Sequence, residues 1–130
     1  MGNIVKKTFR VLPKEAKPIP GYLTYYATPN GEIWRISPPK KTGFGVTKER
    51  IIKLKDRLNP RTGYYQVQPY VDGKKLVRTV HRLVLSTFEG KCPEGYECDH
   101  IDIDRSNNQL SNLRWLTKEE NLQRVIKTSY

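Results

Sequence analysis

The sequence predicts an α+β fold in which antiparallel β-hairpins precede a helix, and a final β-hairpin precedes a second helix. Through most of the first half, aromatic and β-branched residues alternate with polar ones, which is the period of a half-buried strand. The dipeptides Asn30-Gly31 and Asp72-Gly73 are tight-turn signals between such stretches. Apolar residues recur at helical spacing only later, over 80–88 and 118–126. A chain of 130 residues is long enough for one compact unit.

The stretch before the first helix is expected to be β-rich. Its first hairpin pairs Leu23–Thr28 with Glu32–Ile36 across the Asn30-Gly31 turn, and a basic loop over 37–45 follows. Beyond this loop we predict a three-stranded antiparallel meander, with the strands Arg50–Leu58, Tyr64–Tyr70 and Lys74–Thr79. Alternation along the first of these strands predicts one exposed basic face, made by Lys53, Lys55 and Arg57.

The remainder is expected to carry both helices. Thr79 can cap a helix over Val80–Phe88, whose apolar side chains share one face. Tyr96–Asp102 and Leu113–Leu116 are predicted to pair as antiparallel strands on either side of a polar loop. The last helix starts at a capping box, since Thr117 is followed three residues later by Glu120.

These elements predict three segments of the chain. A basic, proline-containing arm over 1–18 is expected to be mobile, either solvated or in contact with phosphates. A basic β-rich module over 19–79 is expected to position a polyanion. A ββα module over 80–130 is expected to share a core with it, so that the two form one compact unit.

Charge is the strongest indication of a partner. The chain contains 24 Lys and Arg against 13 Asp and Glu, for a net charge of +11. The excess is uneven, because 17 basic and 5 acidic residues precede His81, whereas 7 basic and 8 acidic residues lie from there onward. A basic front half implies a polyanion, most simply double-stranded DNA. We expect its phosphates to contact Arg35, Lys40, Lys41, Lys53, Lys55, Arg57, Arg61, Lys74, Lys75 and Arg78.

Several classes of protein are disfavoured. No apolar run has the length that a bilayer helix needs, and residues 1–10 lack the apolar segment of a secretory signal. We therefore expect no membrane partner and a cytoplasmic location. Two cysteines, Cys92 and Cys98, do not make a disulfide framework and are expected to be reduced.

A group of carboxylate, imidazole and amide residues late in the chain suggests hydrolytic chemistry. Cleaving a phosphodiester needs an activated water and positive charge on the phosphate. His100 is suited to take a proton from water near neutral pH, and an amide such as Asn112 across the hairpin can orient its ring. Asp99 and Asn121 offer the oxygen ligands that Mg²⁺ or Mn²⁺ prefers. Because neighbouring strand residues point to opposite faces, Asp99 and His100 share a site only where the strand is short, twisted or ending.

The same motifs resemble the HNH endonucleases, in particular the phage homing nucleases with a ββα-metal site. The resemblance is close over 81–126 and rests on five motifs, Val80–Val84, Asp99–Asp102, Asn107-Asn108, Leu110–Trp115 and Glu120–Leu122. Upstream, the resemblance is looser. Ile19–Tyr22 with Tyr26, Gly31 and Ile33 looks like the small DNA-associated module often fused ahead of such nucleases, and Gly63-Tyr64 and Asp72-Gly73 look like the sheet leading into the HNH core.

The resemblance implies a metal-dependent DNA endonuclease that nicks DNA or cuts both strands, in a bacterial host if the chain is phage-encoded. It implies that Asp99 and Asn121 hold one Mg²⁺ or Mn²⁺ ion and that His100 is the general base. It also implies that Asn112 is the structural amide that fixes the hairpin and the imidazole. The third motif position is Asn121 rather than the usual His, which disfavours tight zinc binding.

Two other functions remain open from the sequence. One is a DNA-binding protein with an inactive HNH remnant, since that third His is replaced. The other is a zinc-stabilised nucleic-acid-binding module, in which His81 and His100 join the two cysteines, although the Cys-x₅-Cys spacing is unusual. We otherwise expect structural roles for His81, Asn107, Asn108 and Trp115. A monomer would most simply nick one strand.

Overall fold

The computed structural model describes residues 8–9 and 11–128, with side chains from 11 to 123, and it confirms the α+β class. In this part of the chain the helices are α1 (Val80–Glu89) and α2 (Lys118–Thr128). The strands, in chain order, are β1 (Thr8–Phe9), β2 (Lys17–Pro18), β3 (Tyr25–Ala27), β4 (Ile33–Ser37), β5 (Lys41–Thr42), β6 (Gly45–Val46), β7 (Arg50–Lys53), β8 (Arg57–Leu58), β9 (Tyr65–Val67), β10 (Tyr70–Val71), β11 (Lys74–Lys75), β12 (Arg78–Thr79), β13 (Tyr96–His100) and β14 (Leu113–Thr117). Neither helix is long and apolar enough to cross a bilayer.

The first sheet is antiparallel, with the strand order β1-β7-β4-β3-β2. The predicted first hairpin is confirmed as β3 and β4, joined by a turn in which Gly31 has a φ of 88°. The expectation of a mobile arm over 1–18 is wrong for two short stretches, because β1 pairs with β7 and β2 pairs with β3. Its cations Lys6, Lys7 and Arg10 lie outside the described residues.

The predicted strand Arg50–Leu58 is wrong as one continuous strand. It ends at Lys53, although the Leu54 amide still donates to the Ile33 carbonyl of β4 at 2.8 Å, and the chain then enters another sheet as β8. That sheet has the order β12-β9-β8, with the β10–β11 hairpin inserted between two of its strands. Lys53, Lys55 and Arg57 therefore do not share one face of one strand. The predicted basic loop contains a hairpin of its own, β5 and β6.

One buried core spans the two halves. It includes Ala27 and Ile33 of the first sheet, Val67 of the second, and Val80 and Val84 of α1. Tyr25 also reaches across, since its hydroxyl accepts a hydrogen bond from the Tyr70 amide at 2.8 Å. The helix α1 therefore packs its apolar face against both sheets.

The C-terminal hairpin and α2 follow the predicted order. β13 and β14 pair in antiparallel register, and the capping box forms in both directions. The Glu120 amide donates to the Thr117 hydroxyl at 3.1 Å, while the Thr117 amide donates to the Glu120 carboxylate at 3.0 Å. These bonds satisfy amides at the start of α2 and hold the helix at a defined angle to the hairpin.

The loop between β13 and β14 is seated on the turn of the first hairpin. The Leu110 amide donates to the Pro29 carbonyl at 2.8 Å, and Gly31 lies against the Asn108 backbone. A Cβ added at Gly31 would lie 2.7 Å from the Asn108 carbonyl oxygen, which is too close for any side chain. A glycine is needed there for close approach as well as for its positive φ.

We predict that Gly31→Ala destabilises the protein by more than Gly73→Ala. Gly73 has a φ of 76° but open space around it, so its substitution costs only backbone strain, about 1–2 kcal/mol. Gly31→Ala adds overpacking against Asn108, about 1–3 kcal/mol more. Urea denaturation of both variants measures the difference. Equal losses of stability would show that the close packing of the turn against the loop contributes nothing to the free energy of unfolding.

Candidate active site on the C-terminal hairpin

The predicted site residues cluster around the β13–β14 hairpin, whose register sets their direction. Asp99 lies opposite Arg114, and His100, the last residue of β13, lies opposite Leu113. Because side chains alternate along a strand, Glu97 and Asp99 share one face, and Cys98 and His100 share the other. The contacts agree: Glu97 reaches α2, whereas Cys98 and His100 contact His81 of α1.

The face toward α2 carries the side chains that were predicted to bind a cation. Asp99 is only 8% exposed, and its Oδ2 accepts a hydrogen bond from Arg114 Nε at 3.1 Å, which is also an ion pair. Asn121 of α2 donates from Nδ2 to Glu97 Oε2 at 3.3 Å. This bond turns the nitrogen end of the amide toward Glu97 and leaves Oδ1 as the end that can ligate a cation. Carboxylate and amide oxygens together suit a hard divalent ion such as Mg²⁺ or Mn²⁺.

The imidazole of His100 is held by a neighbouring amide. His100 is 5% exposed, and its Nε2 lies 2.7 Å from Oδ1 of the buried Asn108. An amide oxygen can only accept, so Nε2 is the donor and carries the proton. In the neutral ring the lone pair is then on Nδ1, which is the atom able to take a proton from water.

The expectation that Asn112 fixes the imidazole is wrong, because its side chain bonds the loop instead. Asn112 Nδ2 donates to Asp102 Oδ1 at 2.8 Å and to the Asn107 carbonyl at 2.9 Å, and its Oδ1 accepts from the Asp102 amide at 3.0 Å. Asn107 adds a bond to Asp102 Oδ2 at 2.8 Å. Hydrogen bonds from Asn107, the Asp104 amide and Asn112 hold the pKa of Asp102 below its usual value.

A stack of rings covers the other side of His100. Its ring centroid is 4.8 Å from that of His81, which stacks at 4.6 Å on Tyr64, and the guanidinium of Arg105 lies 4.6 Å from the Tyr64 ring centre. Arg105 also donates to the Thr62 carbonyl. Burial, followed by electrostatic interaction with His100 and Arg82, lowers the pKa of His81 to about 3, so His81 is neutral at physiological pH.

The cysteines do not assemble a metal site. Cys98 Sγ is 3.7 Å from the His81 carbonyl, and burial raises its pKa to about 12, whereas Cys92 Sγ is 3.2 Å from the Tyr96 carbonyl. Within the described residues, no three His, Cys, Asp or Glu side chains are arranged to hold a metal ion. The zinc-stabilised module therefore lacks the ligand cluster that it requires.

The sequence profile of the HNH endonucleases matches residues 78–123, the segment that carries α1, this hairpin and the first half of α2. Residues 78–123 are an HNH endonuclease domain. The resemblance seen in the sequence motifs is therefore confirmed.

Relatives of this HNH domain extend the match upstream. The DNA endonuclease I-HmuI of Bacillus phage SP01 is 34% identical over 110 residues, which cover 84% of this chain and 56% of that protein. The HNH endonuclease L247 of Acanthamoeba polyphaga mimivirus is 32% identical over 115 residues, covering 79% of this chain and 28% of the relative. A solved structure of I-HmuI superposes with a TM-score of 0.70 and 31% identity, over 88% of this chain and 59% of that one. The chain thus spans little more than half the length of I-HmuI.

The basic residues predicted to contact DNA differ in whether their side chains are exposed or already bonded to other residues of the protein. Arg35 is half-buried with its guanidinium over the Tyr25 ring, and Lys53 pairs with Glu32 at 3.0 Å. Arg78 bonds the Tyr22 hydroxyl at 2.7 Å. The side chains of the others are exposed, namely Lys40, Lys41, Lys55, Arg57, Arg61, Lys74 and Lys75.

Four residues around the HNH hairpin were given no site role by the sequence motifs: Tyr64, Glu97, Arg105 and Arg114. Two of them had a usable signal. Glu97 lies two residues before Asp99 and so shares its strand face, and Arg114 lies opposite Asp99 once the hairpin register is known. Tyr64 comes from the upstream half and Arg105 from the polar loop after His100, and nothing in the sequence pattern brings these two side chains together. The remaining predicted structural residue, Trp115, packs against the core.

We predict that stability falls as the pH is lowered from 7 toward 4, and that His81→Phe reduces this dependence. The folded-state pKa of His81 is about 3, below the unfolded value of about 6.5. Between these values the unfolded chain binds a proton that the folded chain does not, so stability rises with pH, by up to about 1.4 kcal/mol per pH unit. Urea denaturation at several pH values measures the slope. The same slope in both proteins would contradict the assignment.

Proposed function

We propose that this chain is a metal-dependent DNA endonuclease that hydrolyses phosphodiester bonds at the β13–β14 hairpin. One observation above all supports this: Asn121 of α2 bonds Glu97, on the strand face that also carries Asp99. Two side chains of the predicted metal pair therefore approach the same face from different elements. His100 follows Asp99 at the end of β13, where the strict alternation of strand faces stops.

Asp99 and Asn121 would hold one Mg²⁺ or Mn²⁺ ion. The donor chemistry fits such an ion, because both side chains offer oxygen and the Asn121 nitrogen is already bonded to Glu97. When bound, a divalent cation supplies positive charge that stabilises the phosphate oxygens and the leaving oxygen in the transition state. Arg114, which pairs with Asp99, would keep the carboxylate oriented when no cation is present.

His100 would act as the general base through Nδ1. It would take a proton from a water whose oxygen attacks phosphorus, while the bond from phosphorus to the 3′ oxygen breaks and that oxygen is protonated from solvent. Asn108 supports this role, because its bond to Nε2 keeps the acceptor lone pair on Nδ1. Asn112 would act at a distance, by holding the loop that carries Asn108.

The basic residues before α1 would position duplex DNA through its phosphates. Exposed cations lie on the β5–β6 hairpin at Lys41, on the turn before β9 at Arg61, and on β11 at Lys74 and Lys75. I-HmuI is described as binding and cleaving DNA, and it matches this chain through these strands as well as the HNH domain. The contacts would be largely independent of base sequence, since they neutralise backbone charge.

We predict that purified protein converts supercoiled plasmid to product with Mg²⁺ or Mn²⁺, and that His100→Ala abolishes cleavage while retaining DNA binding. A lost general base costs about 10²–10⁴-fold in rate without removing phosphate contacts. Gel assays across metals measure cleavage, with EDTA and Asn121→Ala as controls for the metal pair. Nicked product supports a monomer acting on one strand, and linear product supports a dimer.

Binding without cleavage under every metal would contradict the endonuclease and support a DNA-binding protein with an inactive HNH domain. Unchanged turnover in His100→Ala would remove His100 from the mechanism while leaving the nuclease assignment in place. The two results are separable because binding and cleavage are measured on the same plasmid.

We also predict that Lys41→Gln weakens DNA binding in a salt-dependent way. Loss of one phosphate contact reduces the slope of log K against log salt concentration by about 0.9. Lys91→Gln makes the same change of charge at an exposed lysine after α1 and serves as the control. Fluorescence anisotropy at several salt concentrations measures both slopes. Equal slopes for the two variants would mean that overall charge, and not the β5–β6 hairpin, governs binding.

A further inference from the structure

A cluster of three rings connects His100 of the proposed site to the upstream half of the chain. His100 contributes the ring on the hairpin side, His81 the ring from the first turn of α1, and Tyr64 the ring just before β9. Each ring lies near both of the others: the His100 and Tyr64 centroids are 6.0 Å apart with their planes 20° from parallel, and the His81 centroid is 4.8 Å from that of His100 with the planes tilted by 37°. None of these contacts is made by the loop that carries Asn108.

Each ring is held by its own element. His81 is 4% exposed, and its backbone carbonyl is 3.7 Å from Cys98 Sγ, so α1 and β13 are in direct contact beside the cluster. Tyr64 follows the tight turn in which Gly63 donates to the Asn59 carbonyl at 2.7 Å. The Arg105 guanidinium lies 4.6 Å from the Tyr64 ring centre and donates to the Thr62 carbonyl. Tyr64 is thus held by Arg105 as well as by its own turn.

The hydrogen bond from Asn108 does not by itself fix the His100 ring. It restrains one atom, Nε2, but the terminal torsion of a histidine is broad, and the ring can still turn about that bond. A buried ring packed beside the imidazole, as His81 is, removes this remaining freedom. The direction of the Nδ1 lone pair depends on the plane of the ring, so it depends on both contacts.

We infer that His81 is a positioning residue for His100: stacked on Tyr64, it fixes the plane of the imidazole so that Nδ1 faces the attacking water. This inference rests on the proposed nuclease function. His81 touches neither DNA nor cation in this role and exchanges no proton; it supplies a buried, flat surface. A phenyl ring can supply the same surface, whereas a methyl group cannot.

The inference is tested with His81→Ala and His81→Phe in the full chain. Misplacing a catalytic group by about 1 Å costs on the order of 10²-fold in rate. We therefore expect kcat on saturating plasmid to fall at least about 10-fold in His81→Ala, with KM and DNA affinity unchanged. His81→Phe should recover most of this loss. Tyr64→Leu should lower kcat in the same direction, and Tyr26→Leu, the same change at a partly buried tyrosine of β3, should not.

A second measurement reports the tautomer and the mobility of the His100 ring and does not depend on catalysis. In ¹⁵N spectra of the histidine side chains, His100 should show a single neutral tautomer with the proton on Nε2 in the wild-type protein and in His81→Phe. In His81→Ala its ring nitrogens should show tautomer averaging or exchange broadening. If His81→Ala does not fold, as judged by circular dichroism, His81→Phe and Tyr64→Leu carry the test.

Wild-type kcat in a folded His81→Ala protein would overturn the inference, and so would a loss of kcat in folded His81→Phe as large as in His81→Ala. An unchanged His100 spectrum in His81→Ala would overturn it as well. A wild-type protein that cuts no DNA would instead overturn the proposed function, and the spectra would still decide whether His81 orders the ring.

Discussion

The register of the β13–β14 hairpin is the constraint on which the site depends. Pairing Asp99 with Arg114 and His100 with Leu113 sends the carboxylate toward α2 and the imidazole toward α1. A slip of one residue would exchange the two faces, because side chains alternate along a strand. Asn112 protects this register by binding the start of the intervening loop at Asp102 and its middle at the Asn107 carbonyl. A short polar network therefore determines where two different chemical groups point.

The upstream half contributes to the site as well as to the basic surface. The turn of the first hairpin seats the loop that carries Asn108, through Gly31 and the Pro29 carbonyl. Tyr64 contributes a ring to the cluster that packs around His100. The core is continuous between these regions, with Ala27 and Val84 in one buried cluster. The imidazole is thus oriented by residues far apart in sequence, and the HNH domain alone does not contain all of its supports.

Much of this arrangement could be predicted from the sequence, and the predictions that were wrong have physical causes. Turn dipeptides, helical apolar spacing and the Thr117–Glu120 capping box are local signals, and each formed as predicted. The strand over Arg50–Leu58 did not, because its two ends pair in different sheets, β7 with β4 and β8 with β9, and these tertiary partners override the local alternation. Asn112 and Asn108 are chemically identical and four residues apart, so spacing could not decide which of them bonds the imidazole.

The sequence by itself determined the α+β class, the basic front half, and the set of carboxylate, imidazole and amide residues that marks an HNH domain. These follow from composition, periodicity and motif spacing, which are properties of the chain read in order. Only the tertiary structure decided the partners of that set: Glu97 on Asn121, Arg114 on Asp99, Asn108 on His100, and His81 against the imidazole ring. Such partners depend on how strands and helices pack in space, and no periodicity along the chain records that packing.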